Sequence, residues 1–437
     1  MAGIERSREW GRRKCWFAIA LATAGAYAAT ACSDRKSADD IDAFAREYVE
    51  LGLTYGEIEA DALDFYFGPE DMVPPADEGE PDREVIRADL EEMLARLAEA
   101  PRTARRDHLA GKAASLLAIM DASSPDENMP FAEQAQRLYG VNVAAPDEDG
   151  LQRARQQLEA MLPGPGSLVR RMDAYAANFV IGEDRRRAIF MRALDECRER
   201  TMNRWALPAD NTLEVEWNGS VGAAWHTYLG DGHSVLQVNP AAVADIGSSL
   251  DVACHEAWPG HHAQFLVQRA SSSFALEDKL VFTRSPEQLL REGAAQFGVD
   301  LAFPPAERAA FLRDELFPLA GLDPGEAQTF AQVHAARQAL GAAAAPILAD
   351  YLDRRITGFA AEQALAKEAL VSSPAALLAF ADRYGAYVLG YSVAREAVAA
   401  CVAARADAAG EGEEGKWLAL RAIVASSDLS ALKGESC

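Results

Sequence analysis

The sequence predicts a mostly helical (mostly α) protein with a small β hairpin or sheet beside a helix that carries paired histidines. Three observations lead there. Apolar residues recur at intervals of three and four through most of the chain, as one face of a 3.6-residue helix requires. Two short stretches alternate apolar and polar residues instead, with the turn signal Gly230-Asp231-Gly232 between them. The segment His255-Glu256-Ala257-Trp258-Pro259-Gly260-His261-His262 then gathers three of the seven histidines around one glutamate.

Residues 1–31 read as a targeting signal outside the fold. Arg6, Arg8, Arg12, Arg13 and Lys14 form a basic start, and a small-residue apolar stretch follows from Cys15 to Thr30. That stretch is shorter than the ~20 apolar residues of a spanning helix. The junction Ala29-Thr30-Ala31-Cys32 resembles a lipobox, in which Cys32 becomes the lipidated first residue of the mature chain. Ordinary cleavage after Ala31 would instead leave a soluble periplasmic protein. The lipid anchor is the favoured expectation. Ser33, where inner-membrane retention takes an acidic residue, points to the periplasmic side of the outer membrane.

Cleavage removes five basic and two acidic side chains from totals of 43 and 67, leaving 38 and 65 and a net charge of −27. Such a chain repels nucleic acid and anionic head groups, so no nucleic-acid partner is expected and membrane contact falls to the lipid on Cys32. The mature length of about 400 residues is ample for a large core. Cys197, Cys254, Cys401 and Cys437 have neither metal-cluster spacing nor that of a small disulfide framework. Cys254 is expected as a small buried packing residue, and a Cys401–Cys437 bridge is left open.

Helical spacing covers residues 38–66, and an acidic, proline-rich loop follows from Gly68 to Asp82. Ile86, Leu90, Met93, Leu94 and Leu97 begin an amphipathic helix pair that runs to Met120. Residues 150–162 form another helix, closed by Pro163-Gly164-Pro165-Gly166, and helical patterning continues from Ser167 to Trp205. This N-terminal helical region, 32–207, gives way at Pro208 to a metal-binding catalytic region, 208–437. Leu213 to Trp217 and Ser234 to Asn239 read as its strands. The second strand, at Val235, Gln237 and Asn239, is expected to hold an extended substrate through its free edge. A plain hairpin roofing the helices is the alternative. After Pro304-Pro305 the chain is alanine-rich and helical, apart from a polar loop at Asp407 to Gly415.

The histidine segment has the residues of a zinc-hydrolase helix with two extra positions. In H-E-x-x-H the histidines are four apart and share one face. Here the intervals are six and seven, and a regular helix would separate either pair on the surface or along the axis. Pro259-Gly260 offers the repair, since proline interrupts the turn before it and glycine tolerates unusual dihedrals. With those two residues bulged out, His261 takes the second ligand position. Glu256 stays beside the first, as general base on a water activated by the metal. The helix is expected to start near Ser248-Ser249. A second helix, opened by Ser285-Pro286-Glu287, places Glu292 as third ligand of a Zn2+ held by His255, His261 and Glu292. His262 is expected beside the substrate, or as reserve ligand.

On these residues the chain resembles the bacterial domain-of-unknown-function family numbered 885. That family carries H-E-x-x-P-G-H-H-x-Q, matched from His255 to Gln264, and a downstream glutamate–glycine, matched by Glu292-Gly293. Ala294 stands where the family usually has tryptophan. Tyr384, Tyr387 and Tyr391 fit its tyrosine-rich C-terminal segment. The resemblance implies a mostly helical, zincin-like fold, a metallopeptidase-type activity and, as in many members, a lipoprotein.

Tyr384, Tyr387 and Tyr391 lie at spacings that put them on one helical face. A hydroxyl there could donate to the oxyanion of amide hydrolysis, or the stripe is core packing. Arg395, on the same face, could hold a substrate carboxylate. His226 and His233 flank the strand turn as surface residues, and His334 is a structural histidine. The leading expectation is an envelope-anchored zinc hydrolase cutting a peptide or an amide-containing small molecule. One alternative is a non-peptide amidohydrolase of cell-wall fragments or small metabolites. Another is an inactive zincin-like binding lipoprotein, against which the intact Glu256 argues.

Overall fold

The apolar stripes fold into helices that bury one face, and several of them start at a capping side chain. A computed structural model describes residues 40–75, 81–123, 129–143, 145–220 and 222–437. The signal segment, Cys32 and part of the acidic loop lie outside the described residues. The Ile41–Ile58 helix starts at Asp40, whose side chain accepts from the Ala43 N–H at 3.1 Å, and buries Phe44, Tyr48 and Val49. The expected helix pair is Arg83–Glu99 and Ala104–Ala122, capped by Asp82 and Thr103. Phe131–Tyr139, Glu148–Met161, Leu168–Ala176 and Glu183–Met202 are the further α-helices of the first half.

The expected first helix is shorter than its pattern. It ends at Ile58, and Leu63–Tyr66 forms strand β1. The second half holds β2 (Thr212–Trp217), β3 (Ala224–Gly230), β4 (His233–Val238) and β5 (Leu280–Phe282). β1 pairs antiparallel with β5. The other sheet has the order β2-β4-β3, with β2 parallel and β3 antiparallel to β4.

That order overturns the expectation for Val235, Gln237 and Asn239. β4 is the central strand, so its main chain is spent on both neighbours and cannot hold a substrate. Asn239, just beyond β4, donates its N–H to the Ala223 carbonyl at 3.0 Å. By antiparallel alternation, Ala224 and His226 on β3 turn their main-chain groups away from β4. β2 and β3 are the edge strands of this sheet, and β3 is the one whose residues line the cleft.

One buried core runs from Phe44 to Leu432, so residues of both the 32–207 and the 208–437 regions share it. Cys401 pairs with Cys437. Cys254, expected as a lone packing residue, pairs with Cys197 and ties the Glu183–Met202 helix to the helix bearing His255. Their separation of 57 residues follows no spacing rule, so only the fold brings them together. Closing a loop of that size stabilises by on the order of 4 kcal/mol in the chain-entropy account. A Cys197→Ser, Cys254→Ser double variant should melt about 5 °C lower by calorimetry for a chain this long. An unchanged midpoint would contradict this.

Candidate metal centre

The first ligand helix, Ile246–Glu256, is capped by Asp245, which accepts from the Ser248 N–H at 2.9 Å. The cap thus precedes the expected Ser248-Ser249 start. The helix stops at Glu256, and a second helix, His261–Arg269, starts after Trp258-Pro259-Gly260. Two hydrogen bonds span the break: Gly260 N–H to Cys254 O at 3.1 Å, and Ala263 N–H to Ala257 O at 2.9 Å. The third ligand helix, Pro286–Ala302, has Ser285 as cap and Pro286 in its first turn.

These helices converge. Ligand atoms of His255, His261 and Glu292 all lie within 4.8 Å of one another. The His255 Nε2 is 3.3 Å from Glu292 Oε2, and the His261 Nε2 is 3.5 Å from Glu292 Oε1. An ion bound tetrahedrally at about 2.0–2.1 Å sets its donors about 3.3 Å apart, so two imidazoles and a carboxylate here fit zinc. The Glu292 Oε2, buried and without a hydrogen-bond partner, is the lone pair such an ion would take. Burial works against the Glu292 charge, yet His261 and His255 hold its carboxyl well below the usual range. Burial would lower His255, but Glu292 overrides it and raises the imidazole above its ordinary value. Glu256 is raised by burial, against the pull of His255 and His261, which suits a proton acceptor.

The three tyrosines meet the centre by a different route from the expected helical face. The Pro374–Tyr384 helix ends at Tyr384, Gly385 turns the chain at φ 58°, and Gly385–Tyr391 continues as a tighter helix. All three still line the cleft. The Tyr387 hydroxyl donates to Glu292 Oε1 at 2.9 Å, and burial with the Glu292 charge keeps it protonated. Tyr391 stacks on His255 with ring centroids 6.3 Å apart and faces the Glu292 and Glu256 charges. Tyr384 stands further out, against Phe380.

Two expected site residues lie elsewhere. His262 shares a hydrogen bond with Ser234 Oγ at 2.8 Å and packs on Trp258 at 4.8 Å. Restarting the helix at His261 turns the next residue about 100° away, so His262 faces the sheet and is neither reserve ligand nor substrate contact. Burial pushes its pKa down to about 3, so it stays neutral. Arg395 donates from Nε to Asp300 at 3.1 Å outside the cleft. The break at Ser392, before the Val393–Ala409 helix, rotates it off the tyrosines' face.

Two further titratable residues of the cleft lie outside the expected ligand, base and tyrosine sets. His226, expected at the surface, is buried on β3 with its ring 6.0 Å from that of His261. Burial, then the neighbouring histidines, lower its pKa and keep it neutral. Recognising β3 as a strand beside the site would have found it. Asp64 on β1 belongs to no motif. Burial and the Glu292 charge push it up to about 7. His233 instead bonds Thr212 Oγ1 at 2.6 Å, and His334 pairs with Asp251 at 2.8 Å. The whole cleft encloses about 770 Å³.

No protein-family model and no curated protein sequence matches the chain. Solved structures do. A proposed lipoprotein from Colwellia psychrerythraea superposes with a TM-score of 0.51 at 15% identity, over 81% of this chain and 63% of that one. A proposed lipoprotein of unknown function from Shewanella oneidensis gives 0.49 at 13% identity, over 80% and 70%. M32 carboxypeptidase from Deinococcus radiodurans R1 gives 0.39 at 16% identity, over 90% and 72%. The chain spans less than two thirds of the Colwellia protein, and the likeness is one of fold.

The geometry predicts that His255→Ala, His261→Ala and Glu292→Ala each abolish zinc binding, measured by plasma mass spectrometry after dialysis, while His262→Ala keeps it. Loss of zinc in His262→Ala with retention in His261→Ala would contradict the register. Tyr387→Phe, which frees a ligand oxygen from its partner, should weaken zinc binding about 10- to 100-fold.

Proposed function

We propose that this chain is a zinc-dependent hydrolase of peptide bonds held on the cell envelope, akin to the 885 family it resembles. The observation that carries the reading is one cleft in which His255, His261 and Glu292 converge with Glu256 adjoining the first of them. When bound, zinc would supply Lewis-acid activation of water and of the scissile carbonyl. Glu256 takes the proton of the attacking water and passes it to the leaving amine. Tyr391 donates its hydroxyl to the carbonyl oxygen as that atom gains charge. Tyr387 holds Glu292 in place. Ala224 and His226 on the β3 edge supply main-chain groups for an extended peptide, and Trp225 and Phe65 give the cleft apolar walls.

The cell-envelope assignment rests on the Ala29-Thr30-Ala31-Cys32 junction, and the names of the Colwellia and Shewanella proteins agree with it. Mass spectrometry of the mature N-terminus should find a lipidated Cys32. An unmodified terminus, or an unchanged membrane fraction for Cys32→Ser, would remove the anchor from the account.

The test of the activity is turnover of a diverse peptide library, lost on chelation and restored by zinc. Glu256→Gln should keep its zinc and lose about 10²- to 10⁴-fold in rate. Tyr391→Phe should lose about 10²- to 10³-fold in kcat with zinc content unchanged. A Glu256→Gln chain with a near-normal rate would eliminate it as the base.

A further inference from the structure

The cleft holds two carboxylates that these steps leave unused, Asp64 and Asp251. Leu63 on β1 pairs with Phe282 and Phe65 pairs with Val281, so Asp64 is the extra residue of a β-bulge. Bulges re-aim side chains, and this one lines the cleft with Glu256 and Glu292. Among the described residues, its one side-chain hydrogen bond comes from the Gln288 amide at 2.9 Å. Gln288 lies one turn before Glu292 on the same helix, about 6 Å along its axis at 1.5 Å per residue, and its amide holds Asp64 on that side of Glu292.

The cations around Asp64 are committed elsewhere. Arg291 donates to Gln288 Oε1 at 2.7 Å and Gln268 Oε1 at 3.1 Å. Arg383, at the cleft rim, donates from Nε to Asp61 at 2.9 Å. The remaining lining acid, Asp251, has Arg308 at 2.7 Å and His334 at 2.8 Å. Asp64 thus has no cation in hydrogen-bond contact among the described residues, and the Arg291 charge acts on it only from beyond Gln288. A cationic group that reached it would make a charge-assisted bond that the folded chain does not supply. Arg395, offered by the sequence as a carboxylate anchor, is outside the cleft.

We propose that Asp64 is the ammonium subsite of this cleft, so that it selects peptides bearing a primary ammonium close to the bond cut. This rests on the hydrolase reading. A charge-assisted hydrogen bond of this kind corresponds to about a 10- to 100-fold preference. The α-ammonium of a free amino terminus and the ε-ammonium of lysine share this chemistry.

The test uses the zinc-loaded mature chain and three randomised tetrapeptide-amide mixtures: free amino terminus without lysine, N-acetylated with lysine, and N-acetylated without lysine. Wild type should cleave one ammonium-bearing mixture about 10- to 100-fold faster, by kcat/KM, than the third. The preferred mixture identifies the source. In Asp64→Asn, which is isosteric and can keep its Gln288 contact, that ratio should collapse to within about twofold, and Asp64→Glu should restore part of it. Equal rates in wild type, or a ratio that survives in Asp64→Asn, would overturn the subsite while leaving the hydrolase intact. If no mixture is cut, the hydrolase reading falls. The subsite then stands or falls on calorimetry with tetra-alanine amide, its N-acetyl form and N-acetyl-lysine amide. Ammonium-selective binding lost in Asp64→Asn sustains it, and equal or absent binding overturns it.

Discussion

A β-carbon at residue 260 would lie 1.6 Å from the carbonyl oxygen of His255. No side chain survives that approach, and the centre depends on it. It lets one helix stop at Glu256 and another start at His261 without moving the two imidazoles apart. The neighbouring proline uses the same economy of space. A β-carbon on residue 298, across on the Glu292 helix, would meet the Pro259 ring at 2.8 Å. Glycine at 298 lets that ring seat directly on the helix that brings the third ligand. The break that brings the histidines together therefore also docks the element carrying the carboxylate.

Around this contact the polar groups are arranged in shells. Gln264 donates to the Arg291 carbonyl at 3.1 Å, linking the second ligand helix to the third. Cys254, bridged to Cys197, immediately precedes His255. Tyr387 fixes one oxygen of Glu292. Such a cluster of buried imidazoles and carboxylates is expensive without a cation to balance it. Metal binding to the folded chain alone would therefore add stability that grows with free metal concentration.

The legible parts of the sequence were the local ones. The helix pair 83–120 and the Ser285-Pro286 start could be read because helical periodicity and capping act over a few residues. The grouping of His255, His261 and Glu292 could be read because proline and glycine disrupt a helix in a known way, and this supplied the register for His261. What could not be read depends on contacts between distant segments. β2 runs parallel to β4 with β3 on the far side, so the strand that looked free is enclosed, and the edge that borders the cleft is that of His226's strand. The bulge at Asp64 exists only because β1 finds β5 more than two hundred residues later. Arg395 and the tyrosines were assigned to one helical face, and the turns at Gly385 and Ser392 redirect them. His262 follows the same logic, because a restarted helix changes which residue faces inward.

The most direct test of the account is zinc K-edge X-ray absorption on the reconstituted mature chain. The account predicts a first shell of four or five nitrogen and oxygen donors near about 2.0–2.1 Å, with outer scattering from two imidazoles. A shell with three imidazoles would bring in His226 or His262, and an all-oxygen shell would show that the histidines do not share an ion. Either result would contradict a ligand set of two imidazoles and one carboxylate, and the all-oxygen shell would also contradict the claim that the break at Pro259-Gly260 brings His255 and His261 to one metal.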